Sequence, residues 1–347
     1  SLMTTDEAAP VVTRCRMSLA GVRNPQQQGR EKCMVRCSGH SQAKITHCLL
    51  TMSPLPDPAV EVEYEAAPLL QLNSILGNAG AGVRCQMHAK PHLLENDING
   101  NGLAAVLVTG NSEPMLQHNN LHSNRGGGLQ VLGDAKPSCS ENTVFANEQV
   151  GVLVSGQARP LLRLNKVQGN QGPGMVMNAE AAGTYIGNTF MGNFGPGVTC
   201  SGTSEGTFEG NKIQHNKQSG VMCWGEACPA LSANMVAENG EAGLVLGESV
   251  VASVNQNTVF KNEGSGVVFG DHAGGQLHGN AITENGGLGL LISGQSRPDC
   301  RENQVKHNKQ GGVNADNLEI LKDFKQLNYV FANVDVDSES QGDCIIA

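Results

Sequence analysis

The sequence predicts an all-β fold, a right-handed parallel β-helix with 23-residue coils and a short C-terminal capping helix. Two asparagines recur at a fixed interval of 23 residues, and short apolar clusters with period-two spacing lie between Asn, Gly and Pro. No copy of the repeat has room for a helix of ten residues. Stacked coils lie roughly 4.8 Å apart, so the repeat predicts a rod on the order of 50 Å long.

The asparagines form two columns that keep register through eleven copies, the second column five residues after the first. The first column comprises Asn73, Asn96, Asn119, Asn142, Asn165, Asn188, Asn211, Asn234, Asn257, Asn280 and Asn303. The second comprises Asn78, Asn101, Asn124, Asn147, Asn170, Asn193, Asn216, Asn239, Asn262, Asn285 and Asn308. An amide stacked over its counterpart can donate to one coil and accept from the other, which predicts structural ladders at the corners. The alternative is a row of amides that binds a ligand.

The positions at which the repeat begins and ends divide the chain into four predicted segments. Residues 1–67 are predicted as an irregular segment with a degenerate coil and an insertion, and residues 68–315 as the β-helix of about eleven coils. Residues 316–334 have apolar side chains at helical spacing and are predicted to cap the open end of the rod. Residues 335–347 are predicted to be a flexible tail.

Composition restricts the partners and the compartment. The net charge is −9 with no basic run, which excludes nucleic acid as an expected partner. The eleven cysteines are an odd number, and the Asn-rich chain has no glycosylation sequon, so we expect a cytoplasmic protein. No cofactor is expected.

A group of cysteines and histidines lies in the predicted insertion. Cys33, Cys37, His40, His47 and Cys48 are metal-ligand residue types, but their spacing matches no common structural zinc site. Free thiols in a loop are the preferred interpretation, and no metal is expected.

A glycine recurs nine residues after the first-column asparagine in ten of the eleven copies, and a predicted strand follows it. This strand has one outward side chain, which is apolar in most of the later coils. We call this predicted stripe the apolar ridge and expect it to be covered by the N-terminal segment or to bind a protein partner. The apolar ridge comprises Leu153, Val176, Met222, Val245, Val268 and Leu291.

One smaller constellation of charged residues falls within a single column. Glu95, His118 and Glu141 precede the ladder asparagine in three consecutive coils, so they are predicted to be near neighbours. A surface ion pair is the preferred interpretation, and a catalytic group is the alternative.

The last four residues, Cys344 to Ala347, match a C-a-a-X box. They predict prenylation of Cys344 and reversible association with intracellular membranes, or with a prenyl-binding chaperone, because a single lipid anchors weakly. The acidic flank opposes anionic lipid surfaces.

Many β-helices act on acidic polysaccharides, which requires clustered carboxylates or a base on one face. The coil aspartates Asp97, Asp134, Asp271 and Asp299 occupy different columns, and the chain has one Trp, Trp224. A carbohydrate-active β-helix, of the lyase or hydrolase type, is therefore the alternative. A scaffold β-helix is a third interpretation.

The repeat, the cysteines and the C-terminal box together resemble the β-helix-containing F-box only proteins. The block from Gly151 to Leu162 and its relative from Gly289 to Pro298 are similar to the coils of that family. The resemblance implies a non-catalytic substrate receptor of a ubiquitin ligase, whose β-helix binds the protein to be degraded. It implies Skp1 and cullin as partners through an F-box that residues 1–67 do not contain. Catalysis would then belong to other subunits.

Overall fold

The computed structural model describes residues 2–18 and 33–334, which form a right-handed parallel β-helix of about 13 coils. Three parallel sheets run along the rod, and each coil except the last contributes one short strand to each sheet. The predicted fold class is confirmed.

The three sheets follow one another along each coil in the order A, B, C. Sheet A contains Leu2–Thr4, Val35–Cys37, Val60–Val62, Val83–Cys85, Val106–Val108, Leu129–Val131, Val152–Val154, Met175–Met177, Val198–Cys200, Val221–Cys223, Leu244–Leu246, Val267–Phe269, Leu290–Ile292 and Val313–Ala315. Sheet B contains Val11–Thr13, Lys44–Thr46, Leu69–Gln71, His92–Leu94, Met115–Gln117, Ser138–Ser140, Leu161–Arg163, Ala182–Ile186, Glu205–Glu209, Ala230–Ser232, Val251–Asn255, Gly274–His278 and Arg297–Arg301. Sheet C contains Arg16–Met17, Leu49–Thr51, Ser74–Leu76, Asp97–Asn99, Asn120–His122, Thr143–Phe145, Lys166–Gln168, Thr189–Met191, Lys212–Gln214, Met235–Ala237, Thr258–Phe260, Ala281–Thr283, Gln304–Lys306 and Tyr329–Phe331.

The core is a stack of identical positions, because each strand pairs in register with its neighbour one coil away. In sheet A, Val83 pairs with Val106 and Cys85 with Val108, and all four side chains are fully buried. Period-two strands place alternate side chains inward, so the apolar columns fill the interior and the outward columns are left to solvent.

The asparagine ladders occupy the corners between sheets B and C and between sheets C and A. The Asn165 side chain donates to the Cys139 carbonyl at 2.9 Å and to Asn188 Oδ1 at 3.0 Å. It accepts from the backbone N–H of Asn142 at 3.0 Å. The ladders thereby satisfy buried corner groups that no sheet reaches.

The rod begins earlier than the sequence predicts. Residues 33–67, predicted as irregular, form strands in all three sheets, and Leu2–Thr4 pairs with Val35–Cys37. The ladders continue there without asparagine side chains, because the backbone N–H groups of Cys48 and Ser53 donate to Asn73 and Asn78.

The predicted capping helix is present at Leu318–Leu327 and takes the place of a sheet B strand in the last coil. Asn317 caps its N-terminus by accepting from the N–H of Glu319 at 2.8 Å, and Phe324 buries its ring against the core. No helix in the part of the chain described here is long and apolar enough to cross a membrane.

Candidate functional site

A charged groove runs along the corner between sheets A and B and crosses four consecutive coils. Its volume is about 440 Å³. We call it the A–B corner groove; it is lined by His88, Lys90, Asn111, Glu113, Asp134, Lys136, Gln157 and Arg159.

The local backbone explains why these side chains project. A left-handed residue, such as Met87 with φ 64° or Gly110 with φ 64°, turns the chain after each sheet A strand except the last. The next residues alternate, so that His88 and Lys90 are exposed while Ala89 between them is fully buried. The groove therefore consists of two outward columns separated by a column of small buried residues.

The charges of the groove are only partly paired with each other. The Lys90 ammonium lies 3.0 Å from Glu113 Oε2, and Asn111 Nδ2 lies 3.4 Å from His88 Nε2. Lys136 and Arg159 form no ion pair within 4.0 Å with any carboxylate of the described residues. Two cations are thus available to an anionic ligand that lies along the corner.

The groove also contains groups that exchange protons. His88 and the carboxylate of Asp134 are both exposed in the same column, two coils apart. An imidazole or a carboxylate in the same groove as unpaired cations is a suitable general base for a substrate whose own negative charge the cations neutralise.

An ion cluster lies on the outer face of sheet A close to the groove. Glu61 is almost completely buried beneath Arg36 and Arg84, and the Arg36 guanidinium lies 2.6 Å from Glu61 Oε2. Gln86 Nε2 donates to Glu61 Oε1 at 3.2 Å. Because both Glu61 oxygens have partners, we interpret this cluster as a structural neighbour of the groove.

The apolar ridge is placed on the outer face of sheet A, as its spacing predicts. Its neighbours pair in register, for example Val245 with Val268 and Val268 with Leu291, and each side chain is half-buried. Thr199 interrupts the ridge and donates its hydroxyl to the Met175 carbonyl at 3.2 Å. Partner binding by this ridge stays a prediction.

The structure brings together only part of the constellation predicted at the B–C corner. His118 Nδ1 lies 3.6 Å from Glu141 Oε2, and both side chains are about half exposed. Glu95 joins neither of them in an ion pair within the described residues. All three have left-handed backbone, with φ of 55–56°, so they are corner residues.

The cysteines predicted as loop thiols lie in coils. Cys33, Cys37 and Cys48 are buried, and burial raises the pKa of Cys37 to about 11. Within residues 2–18 and 33–334, no group of three or more His, Cys, Asp or Glu side chains is arranged to hold a metal ion. Cys344 lies outside the described residues, so its prenylation stays a prediction.

The sequence analysis missed the A–B corner groove because it compared carboxylates within one column. The groove combines two columns that lie two residues apart, and its most informative signal is the set Lys90, Lys136 and Arg159 at multiples of the repeat.

Comparisons with known proteins agree with this architecture. The family model described as "Right handed beta helix region" matches residues 58–212 and 186–320. A search of curated proteins finds no match.

Several solved structures share the fold. Two mutants of the periplasmic alginate epimerase AlgG match with a TM-score of 0.64, at 13% and 14% sequence identity. Each match covers 88% of this chain, and the two matches cover 85% and 84% of the AlgG chains. The A-module of an Azotobacter vinelandii mannuronan C-5 epimerase matches with a TM-score of 0.50 at 14% identity, covering 89% of this chain and 91% of its own. At such identities the likeness shows the fold alone.

These comparisons correct the expectation of a non-catalytic subunit. The matched structures named above are enzymes, and none of them is an F-box protein. Of the predicted resemblance, the β-helix is confirmed, while the ligase role has no support. What this chain does must be inferred from its own residues.

Proposed function

This chain belongs to the right-handed β-helix family, and we propose that it is an enzyme that acts on an acidic polysaccharide in the A–B corner groove. One observation carries the proposal. The groove runs along the rod over four coils and presents Lys136 and Arg159 without an ion pair to any described residue; Asp134 lies in the same coil as Lys136, and His88 lies two coils earlier in the column of Asp134. A site of this shape suits an extended chain with repeated negative charges.

Binding would use the regular spacing of the coils. Successive coils place a cationic or hydrogen-bonding side chain roughly every 4.8 Å along the corner. Lys136 and Arg159, one coil apart, face the carboxylate of the reacting sugar, and Asn111 and Gln157 offer amides to hydroxyl groups of the sugar chain. The Lys90–Glu113 ion pair lies toward one end of the groove, in the two coils that precede Lys136.

The chemistry that fits these groups begins with removal of the proton next to the sugar carboxylate. Lys136 and Arg159 neutralise that carboxylate and stabilise the charge that develops on it. His88 is the proposed base that takes this proton, and Asp134 is the proposed group that delivers a proton, either to the opposite face of the carbon or to the departing glycosidic oxygen. Return of a proton to the opposite face inverts the carbon, whereas loss of the neighbouring glycosidic oxygen cleaves the chain.

The comparisons guide the choice of substrate. Alginate appears in the name of the solved structures that share the fold with a TM-score of 0.64, and it is a polymer of uronic acids. Alginate and pectate are therefore the first substrates to test, with a neutral glucan as the negative control.

The test uses the full chain with three readouts for each polymer: unsaturated products by ultraviolet absorbance, new reducing ends, and the sugar configuration by NMR. We expect activity on a polyuronate and none on the glucan. Lys136→Gln and Arg159→Gln should each lower kcat/KM by roughly 10- to 1,000-fold, because each removes a positive charge that faces the carboxylate of the reacting sugar. Lys166→Gln, which changes an exposed lysine of sheet C, is the matched control.

The proposal fails if the folded protein leaves every polyuronate unchanged in all three readouts. It also fails if Lys136→Gln and Arg159→Gln behave like the Lys166→Gln control, since the groove would then not hold the reacting sugar.

A further inference from the structure

We propose that Ser123, His122 and Asp97 form a second catalytic site, at the corner between sheets C and A, that hydrolyses carboxylic esters. The inference is independent of the function proposed for the A–B corner groove, because it uses other residues on another corner. It starts from a chain of two hydrogen bonds that joins a hydroxyl, an imidazole and a carboxylate.

The two ring nitrogens of His122 have different partners. Nε2 lies 2.9 Å from Asp97 Oδ1, and Nδ1 lies 3.1 Å from Ser123 Oγ. The Asp97 carboxylate only accepts hydrogen bonds, so Nε2 carries the ring proton and Nδ1 is left as an acceptor. The Ser123 hydroxyl therefore donates to Nδ1, so the hydroxyl, imidazole and carboxylate follow one another as in serine hydrolases, with the two ring nitrogens exchanged.

Asp97 and His122 are held in place by further contacts. Asn99 Nδ2 donates to Asp97 Oδ2 at 3.0 Å, so that both oxygens of the carboxylate are bonded. The His122 ring stacks on Phe145 with centroids 4.5 Å apart and an interplanar angle of 15°. The side chain of His122 is 23% exposed, which leaves its edge accessible but restricts its rotation. Asp97 is thus a positioning residue for the base.

Other histidines of the chain lack this combination. His118, His215 and His278 each lie within 3.6 Å of a carboxylate oxygen. Among the described residues, His122 is the histidine that contacts both a carboxylate and a hydroxyl. The arrangement is therefore not a general consequence of the repeat.

The surroundings of Ser123 leave space for a substrate. Ser123 is an exposed corner residue with left-handed backbone, φ 55°. The same position in the preceding coil is Gly100, whose missing side chain opens the approach to the hydroxyl. Gly100 lines an open groove of about 520 Å³ whose walls also include Gly77, Gly102 and Arg125.

Arg125 supplies the charge that ester hydrolysis requires in addition to a nucleophile. It lies two residues beyond Ser123 and lines the groove that Gly100 also lines, one coil before Ser123, so its guanidinium is the nearby cation for the oxygen that becomes negative when the ester carbonyl is attacked.

The reaction has two balanced steps. Ser123 Oγ bonds to the acyl carbon while its proton moves to His122 Nδ1; the ester oxygen then leaves with that proton as the free alcohol. A water molecule next bonds to the acyl carbon and gives one proton to Nδ1, the bond to Ser123 Oγ breaks, and the proton returns to Oγ. The products are a carboxylic acid and an alcohol, and no oxidant or reductant is needed.

The test uses the full chain, a fluorophosphonate probe and p-nitrophenyl acetate. We expect the probe to phosphonylate Ser123 with loss of fluoride, as located by peptide mass spectrometry, and Ser138, an exposed serine of sheet B, to stay unmodified. Ser123→Ala and His122→Gln should lower ester hydrolysis by about 100-fold or more, whereas the control Ser138→Ala should not change it.

The role of Asp97 has its own readout. Asp97→Asn should lower kcat and leave KM almost unchanged, because Asp97 holds the His122 ring and does not touch the substrate, and Asp97→Glu should recover part of the lost rate. A loss of rate that Asp97→Glu does not recover, together with a changed KM, would reassign Asp97 to structure alone.

Circular dichroism of each variant separates loss of the site from loss of the fold. The proposal is overturned if the folded wild-type chain neither reacts with the probe at Ser123 nor hydrolyses the ester. It is equally overturned if folded Ser123→Ala retains the wild-type rate.

Discussion

Asn165 is the position where the contribution of a ladder can be measured most directly. It lies in the middle of the first column and is 3% exposed. Its side chain takes part in four hydrogen bonds, two as donor and two as acceptor. Asn165→Ala removes all four at once.

The magnitude follows from which groups lose their partners. The backbone N–H of Asn142 has its acceptor in Asn165 Oδ1, so the substitution leaves this buried donor unsatisfied, which costs about 1–3 kcal/mol. The three other hydrogen bonds each contribute about 0.5–1.5 kcal/mol, and their remaining partners keep some bonds. We expect the free energy of unfolding to fall by roughly 3–5 kcal/mol.

The assay is denaturant unfolding monitored by far-ultraviolet circular dichroism. The slope m, the dependence of the unfolding free energy on denaturant concentration, is compared between variants, because coils of a repeat protein can unfold separately and would then change it. Asn120→Ala is the matched control, since Asn120 is exposed on sheet C and its side chain has no hydrogen bond within the described residues. It should change the free energy of unfolding by about 0.5 kcal/mol or less. Equal effects of the two substitutions would refute the structural role of the ladder.

Two further predictions concern the core. Gly151→Ala should destabilise the protein by about 1–3 kcal/mol, because a Cβ there would clash with Val167 Cγ1 and lie 2.6 Å from the Gly174 carbonyl oxygen. Gly270→Ala is the control, since the nearest atom to a Cβ at that position is 3.9 Å away. Thermal unfolding compares the two variants. Burial raises the pKa of Cys139 from 9.0 to about 12, so the unfolded thiol ionises first and stability falls as the pH rises above about 9. Ionisation of the unfolded thiol lowers the free energy of unfolding by about 2 kcal/mol at about pH 10.5. In Cys139→Ala, the free energy of unfolding should therefore fall by about 2 kcal/mol less between about pH 8 and pH 10.5 than in the wild type. An unchanged fall would contradict the assigned cause.

The fold was predictable from the sequence because the ladders use side chains. An asparagine that bonds to the next coil must recur in every coil, and the corner residues and inward apolar columns recur with it. Where a backbone group replaces the side chain, the signal disappears. Cys48 donates to Asn73 through its N–H, so the coils of residues 33–67 have the hydrogen bond but not the asparagine.

The end of the rod was predictable only in part for a related reason. The helix Leu318–Leu327 replaces a sheet B strand, so the last ladder partners come 25 residues after Asn303 and Asn308 rather than 23. Asn328 and Asn333 therefore continue both ladders, although they fall outside the repeat.

The candidate sites were less predictable because outward positions carry no repeated constraint. The pair His122 and Asp97 is separated by 25 residues, so the two side chains meet diagonally between neighbouring coils and share no column. A comparison of columns misses such a pair. The contact becomes visible only when the strand register and the side-chain directions are both known.

The rigidity of the ladders also determines what the corners can do. Asn124 follows Ser123 directly, donates to the His122 carbonyl at 2.8 Å and bonds Asn147 Oδ1 in the next coil at 3.0 Å through both its N–H and its side-chain amide. The backbone that carries the proposed nucleophile and base is thus tied to the ladder of the whole rod. A catalytic group requires positioning to within about 0.5 Å, which exposed loops seldom provide. In this fold the corner offers an exposed side chain on a backbone that is fixed from both neighbouring coils, so the same asparagines that stabilise the rod make its corners suitable places for chemistry.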